Sequence, residues 1–170
     1  MKEVRRQRGF TLLEILVVVV IITILVVGIV SVGRVVKTNA QIKVTKNTLS
    51  LVNNALQEYF NKRKGFPRHS GTVEEINAYL YAWLNELPAS QAILSELPEK
   101  ATELREGAVV TIGGRDFARI VLVDSWTKGS SQQRRELKYI NQNDGNFPLL
   151  ISAGPDGVFD TADDIVSSEI

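Results

Sequence analysis

Arg5-Arg6-Gln7-Arg8-Gly9-Phe10-Thr11-Leu12-Leu13-Glu14 opens into an apolar run over residues 15–33. That run holds about 19 residues without a charge, and at about 1.5 Å rise per residue a helix of that length spans roughly 28 Å, close to the hydrocarbon core of a bilayer. It is long enough to cross a membrane. Lys2, Arg5, Arg6 and Arg8 precede it against a single Glu3, so the basic flank stays cytoplasmic and the chain beyond the run is exported. Secretory leaders are cut after their apolar stretch at a small-x-small site. Leu25-Val26-Val27-Gly28-Ile29-Val30-Ser31 offers only a poor one, so the apolar segment is expected to be retained. Glu14 is the odd residue, because a carboxylate facing lipid at the mouth of the run is costly and such a residue usually has a purpose.

Gly9-Phe10-Thr11-Leu12-Leu13-Glu14, behind basic residues and ahead of a Val/Ile-rich helix, resembles the class III signal of type IV pilins and type II secretion pseudopilins. The resemblance implies that a membrane-embedded prepilin peptidase cuts after Gly9 and methylates the new N-terminal Phe10, leaving Glu14 as the fifth mature residue. When apolar helices leave the bilayer and pack into a filament core, a buried carboxylate needs a partner, and the N-terminal amine of a neighbouring copy's Phe10 can supply it. The competing reading is a signal anchor whose Glu14 reaches toward the headgroups. Many family members carry Pro where Ser31 stands, so a Pro kink is not expected; Gly28 and Gly33 can loosen the helix instead. The implied organisation is a leader at 1–9, a transmembrane and filament-core helix at 10–36, and a periplasmic globular domain at 37–170.

The chain has 170 residues, a formal net charge of +1 and no cysteine. Beyond leader and apolar helix roughly 130 residues remain, enough for one small domain. In an exported chain the lack of cysteine leaves loop closure to packing or a metal. Near-neutral charge gives no reason to invoke nucleic acid. Ile42, Leu49, Val52, Leu56 and Tyr59 or Phe60 recur mostly at three- and four-residue spacing, which extends the helix to about residue 64 with one apolar face. Lys62, Arg63 and Lys64 suit its C-terminal dipole, Gly65 is the expected cap, and Pro67 cannot continue it. Thr72-Val73-Glu74-Glu75 reads as a capping box, opening a helix whose apolar stripe is Ile76, Tyr79, Leu80, Trp83, Leu84 and Leu87 and which Pro88 ends. Tyr79, Tyr81 and Trp83 read as core packing. Two short helical pieces are expected at 90–97 and 98–106.

The period then changes. Val109-Val110-Thr111-Ile112, a Gly113-Gly114 turn and residues 117–123 read as a β-hairpin, with further strands at 136–140 and 147–152 around Asn143-Asp144-Gly145. A long N-terminal helix packed on a small antiparallel sheet is an α+β fold, the pilin-like arrangement. Asp124-Ser125-Trp126 with Lys128-Gly129 is similar to the short Asp-Pro-Trp-Gly stretch of major pseudopilins, with Ser125 in place of Pro.

Ser152-Ala153-Gly154-Pro155-Asp156-Gly157-Val158-Phe159-Asp160-Thr161-Ala162-Asp163-Asp164-Ile165 places four carboxylates within nine residues. Hard oxygens on a bendable loop suit Ca²⁺, which accepts loose geometry and backbone carbonyls, better than Mg²⁺; a solvated acidic turn is the alternative. The spacing is not that of an EF-hand. The Ser-x-Gly-Pro-Asp-Gly segment ending in Asp-Asp-Ile is similar to the C-terminal calcium loop of the type II secretion major pseudopilin. That resemblance implies Asp156, Asp163 and Asp164 as ligands, with Ser152 through its hydroxyl or carbonyl, and sets Asp160 where that family often has Gly.

The resemblance implies a structural subunit and not an enzyme. Copies would form a helical pseudopilus filament that drives protein export across the outer membrane, working with minor pseudopilins and an inner-membrane platform. Before assembly each copy would sit single-pass in the inner membrane. The alternative is a type IV pilin-like or minor pilin subunit for adhesion, DNA uptake or motility. Residues 5–67 and 124–165 carry the resemblance. The stretch 68–123 is longer than a major pseudopilin implies, pointing to a minor, tip or variant subunit or to an insertion on the filament surface. His69 is the only histidine; adjacent Ser70 is badly placed to pair with it as nucleophile and base, and no Gly-x-Ser-x-Gly elbow is present. Arg68-His69-Ser70-Gly71 therefore reads as an exposed loop.

Overall fold

The computed structural model describes residues 11–127, 134–142 and 146–170, with the side chains of 27–31 and 108 outside that description. Helix α1 (Leu12–Arg63) contains the boundary between two compact units, one ending at Asn39 and the other running Ala40–Ile170. In the first unit every described apolar side chain is exposed, from Leu12 at 89% through Leu25 at 60% to Val36 at 61%. Among the described residues no helix is long and apolar enough to cross a membrane. The uncharged run of the sequence includes 27–31, whose side chains are outside the description.

In the second unit the helix residues Thr45, Thr48, Leu49, Val52, Ala55 and Leu56 are wholly buried, on one face at three- and four-residue spacing. Leu49, Val52, Ala55 and Leu56 pack with Leu80, Leu84, Leu122, Leu137, Leu150 and Ile165 in one apolar cluster, with Ile42 and Tyr59 at its margin. The expected stripe is therefore the core face, with Thr45 filling its polar gap. The helix ends differently from expectation: Lys64, not Gly65, takes the left-handed conformation at φ +57°, and its N–H bonds the Phe60 carbonyl at 2.8 Å. Phe66 then stacks on Phe60 with ring centroids 4.8 Å apart, which fixes the exit of the chain.

Helix α2 (Val73–Glu86) opens on the expected capping box, Thr72 and Glu75 bonding each other's backbone. Its inner face is Asn77, Ala78, Leu80, Ala82 and Leu84, while Tyr79 and Trp83 are only half-buried. Ala78 and Ala82 meet Val110, Val121 and Val123 in a second cluster. Helix α3 (Pro88–Leu94) follows, tied to α1 by the Ser90 hydroxyl donating to the Ala55 carbonyl at 2.9 Å.

Two three-stranded antiparallel sheets follow, in orders β1-β2-β3 and β4-β5-β6. The first comprises β1 (Thr102–Ile112), β2 (Arg115–Thr127) and β3 (Arg134–Glu136). The second comprises β4 (Lys138–Ile140), β5 (Leu149–Ser152) and β6 (Ile165–Val166). The long helix packed on antiparallel sheets makes the fold α+β, as expected. The helical piece expected at 98–106 is replaced by a single 3₁₀ turn, Glu99–Ala101, and the start of β1. Its alternating charges belong to a strand: Glu103 and Arg105, two residues apart, lie on one face and pair at 2.9 Å, and Arg105 also meets Glu136 at 2.6 Å. The stretch 136–140 divides at Leu137, whose N–H donates to the Leu122 carbonyl of β2 at 3.0 Å while its own carbonyl is taken by Asn77 of α2. The wholly buried Asn77 donates to the carbonyls of Leu122 (2.9 Å) and Leu137 (2.7 Å) and accepts from the Leu122 N–H. Residues 68–123 thus supply part of the core, through Leu80, Leu84, Leu122 and Val121 among others. The turn expected at 143–145 lies outside the described residues.

Candidate functional site

Gly9 and Phe10 lie outside the described residues, and description begins one residue later. Thr11 and Glu14 form a reciprocal cap. The Glu14 carboxylate accepts from the Thr11 N–H at 3.0 Å and the Thr11 hydroxyl at 3.1 Å, while the Glu14 N–H donates to Thr11 Oγ1 at 3.2 Å. This satisfies orphan donors at the start of α1 and holds the carboxylate at the positive end of the helix. The signal was present in the sequence as Thr-x-x-Glu ahead of an apolar run, but the position of Glu14 in that run drew the reading toward lipid and neighbours.

The C-terminal loop between β5 and β6 is cross-tied by its own carboxylates. Asp163 accepts from the Asp156 N–H at 3.0 Å and the Thr161 hydroxyl at 2.8 Å; Asp156 accepts from the Val158 N–H at 2.8 Å; Asp164 accepts from the Asp160 N–H at 2.8 Å. The bond from the Asp156 backbone, more than any other cause, holds the Asp163 carboxyl below the ordinary carboxylate range. Asp160 is 84% exposed, stands at φ +69° and meets Lys138 at 3.8 Å. Gly154, at φ +58°, has no room for a Cβ against the Asp163 carbonyl, so the two ends of the loop touch there.

Among the described residues no three acidic, histidine or cysteine side chains converge as a group that could hold a metal. One observation nevertheless fits a hard cation: Asp164 Oδ1 is buried and, among the described residues, accepts no hydrogen bond. Ser152 is otherwise engaged. Its wholly buried hydroxyl donates to Asp124 Oδ2 at 2.9 Å and accepts from the Gly154 N–H at 3.3 Å.

In the sequence Asp124 stands out only as the first residue of the Asp-Ser-Trp stretch, not as a buried carboxylate bonded to Ser152. It is 2% exposed, its other oxygen accepts from the Trp126 N–H at 2.9 Å, and burial pushes its carboxyl up to about 6. Ser125 accounts for the departure from Asp-Pro-Trp-Gly. Its N–H donates to Thr45 Oγ1 at 3.3 Å, its hydroxyl accepts from Thr45 at 3.1 Å, and its carbonyl accepts from Gln41 Nε2 at 2.7 Å. A proline would forfeit the first two. Hydrogen bonds from α1 thus hold Ser125, and those of its chain neighbour Asp124 lead through Ser152 to the base of the acidic loop.

His69 is exposed, and its ring stacks on Tyr79 with centroids 3.7 Å apart.

Residues 4–30 match the family model for the prokaryotic N-terminal methylation motif. The match covers the basic flank, the Gly9-Phe10 bond, Thr11, Glu14 and most of the apolar run, and marks a prepilin-type N-terminus. Searches of curated proteins and of solved structures return no match.

Proposed function

We propose that this chain, whose prepilin-type N-terminus implies a membrane-anchored precursor, peptidase processing and filament assembly, is a structural subunit of a type II secretion pseudopilus. The observation that carries the reading is the pairing of that N-terminus with a cysteine-free C-terminal domain ending in the acidic loop. Apolar side chains left exposed along the first unit of α1 need cover, from lipid before assembly and from neighbouring helices after it. Glu14 is held by Thr11 in the free chain; in the filament the amine of a neighbouring copy's Phe10 would join or replace those donors and set the register.

Asp156, Asp163 and Asp164 would hold Ca²⁺ in the loop, with Asp164 Oδ1, which has no partner among the described residues, as its first point of contact. Binding only the folded state, the ion would stabilise that state by linkage.

The direct test is the mature N-terminus of protein isolated from peptidase-competent cells. Mass spectrometry is expected to show N-methyl-Phe10, and an intact Met1 terminus defeats the reading. Deleting the gene is expected to strand folded exoproteins in the periplasm; loss of surface fibres with secretion intact would favour a type IV pilin-like subunit instead. For the ion, excess chelator is expected to lower the Tm of the full-length chain in detergent micelles, and an unchanged melt removes calcium from the account.

A further inference from the structure

Beyond its carboxylates, the acidic loop is gripped from outside by a cation already built into the chain. Arg135, on β3, donates from one guanidinium nitrogen to the Gly154 carbonyl at 2.8 Å and reaches the Pro155 carbonyl at 3.5 Å. The loop wraps directly onto the guanidinium at Gly157, where φ is +76° and an added Cβ would collide with the guanidinium carbon and both its terminal nitrogens. Three residues on, Lys138 of β4 stands 3.8 Å from Asp160 and 5.3 Å from the Phe159 ring centroid. Asp160 is so exposed that this second contact is weak. Arg135 is the stronger holder, since charge-assisted bonds to carbonyls in a part-buried setting exceed a solvated ion pair.

We propose that Arg135 is a resident cation of the acidic loop, closing its Gly154 to Gly157 half while a divalent ion closes the half carrying Asp163 and Asp164. The inference rests on the calcium reading of that loop and assigns the division of labour within it. The guanidinium bonds backbone carbonyls, leaving the carboxylate oxygens of Asp156, Asp163 and Asp164 for the ion. The charges agree with this. By formal charge alone, Arg135, Lys138 and one divalent ion together equal the loop's four carboxylates. The two cations act on one loop, so losing either makes the chain depend more on the other.

The test is thermal melting of the full-length chain in detergent micelles, in chelator and in saturating CaCl₂, for the native chain and Arg135→Met, which keeps an aliphatic stem for packing. In chelator the variant is expected to melt roughly 4–8 °C below the native chain, with faster hydrogen exchange at the Asp156 and Val158 amides. Calcium is expected to halve that gap at least, so that the calcium-induced shift is larger in the variant. Arg135→Lys, with charge but no fork, is expected to fall between and serves if Arg135→Met does not fold. Equal melting of variant and native chain in chelator overturns the proposal. So does a gap that calcium leaves unchanged while the native chain itself responds to calcium. A native chain indifferent to calcium beside a low-melting variant supports the Arg135 clamp and sinks the calcium reading alone.

Discussion

Up to Asn39, α1 is made mostly of Val, Ile and Leu, and its described apolar side chains are exposed. From Ala40 it is interrupted by Gln, Lys, Thr and Asn, yet Thr45, Thr48, Leu49, Val52, Ala55 and Leu56 are wholly buried. One helix therefore contains two solutions to the same problem. The second part spends its few apolar positions on one face, against partners supplied by this chain. The first has apolar residues all round, which no single domain face can cover, so its hydrophobicity is addressed to surroundings outside the chain.

The sharpest way to break that comparison is a pair of identical truncations. Leu56→Ala removes a side chain in the middle of the core and is expected to cost up to about 5 kcal/mol of folding stability, read by denaturant unfolding. Leu16→Ala, at a residue 59% exposed, is expected to cost less than about 0.5 kcal/mol in the same measurement. Comparable losses at both sites would mean that the first unit contributes to the fold and that the contrast is wrong.

Asn77→Ala tests how the second unit is held together. It strips three hydrogen bonds from the Leu122 and Leu137 backbone, in a site where water is excluded. The expected loss is about 3 kcal/mol, since buried donors and acceptors are left unmatched. A loss under about 1 kcal/mol would show that these three bonds do little to hold the second unit together.

Most of the helix architecture was legible because periodicity and capping are local. The stripe from Ile42 to Tyr59 and the Thr72–Glu75 box need no knowledge of the rest of the chain. Asn77 and Asp124 were not legible, because what makes a buried polar residue tolerable is its partner, here 45 residues away for the Asn77 contact with Leu122 and 28 for Asp124 with Ser152. The charged stretch at 98–106 misled for a related reason. Glu103 and Arg105 look like helix-surface charges until Glu136, 31 residues beyond Arg105, completes their cluster on the strand face. In the acidic loop, residue types were readable, but Arg135 was not, since nothing in the sequence announces that a strand residue will grip the carbonyls of a distant loop.

Asp124 gives the second unit a pH signature. Its pKa is raised by burial from 3.8 to about 6, so the folded state binds the proton more tightly than the unfolded chain. Its contribution is neutral below about pH 4, falls as pH rises from about 4 to 6, and is flat above, a total of roughly 2–3 kcal/mol against folding. Asp163, held below the ordinary range by the Asp156 N–H, acts oppositely, and its stabilisation is lost as pH falls through its lowered pKa. Urea titrations in chelator across pH 4–7 are expected to show the native chain losing stability over that window and Asp124→Asn losing little. Parallel profiles would show that Asp124 is ionised at no unusual cost.

The smallest expected effect separates backbone strain from ligation within the acidic loop. Asp160 holds φ +69° with a side chain 84% exposed, a conformation that glycine adopts freely and other residues pay for. Asp160→Gly is expected to raise stability by about 0.5–1 kcal/mol, because relief of strain exceeds the loss of a weak pair with Lys138 and the added freedom of the unfolded chain. Asp160→Ala keeps the strain, loses the pair and is expected to be slightly less stable than the native chain. The calcium-induced Tm shift distinguishes the remaining role. If Asp156, Asp163 and Asp164 hold the ion without Asp160, the shift survives in Asp160→Gly. A shift abolished there, with stability in chelator unchanged or raised, would make Asp160 a ligand and place the ion further from the Arg135 side of the loop.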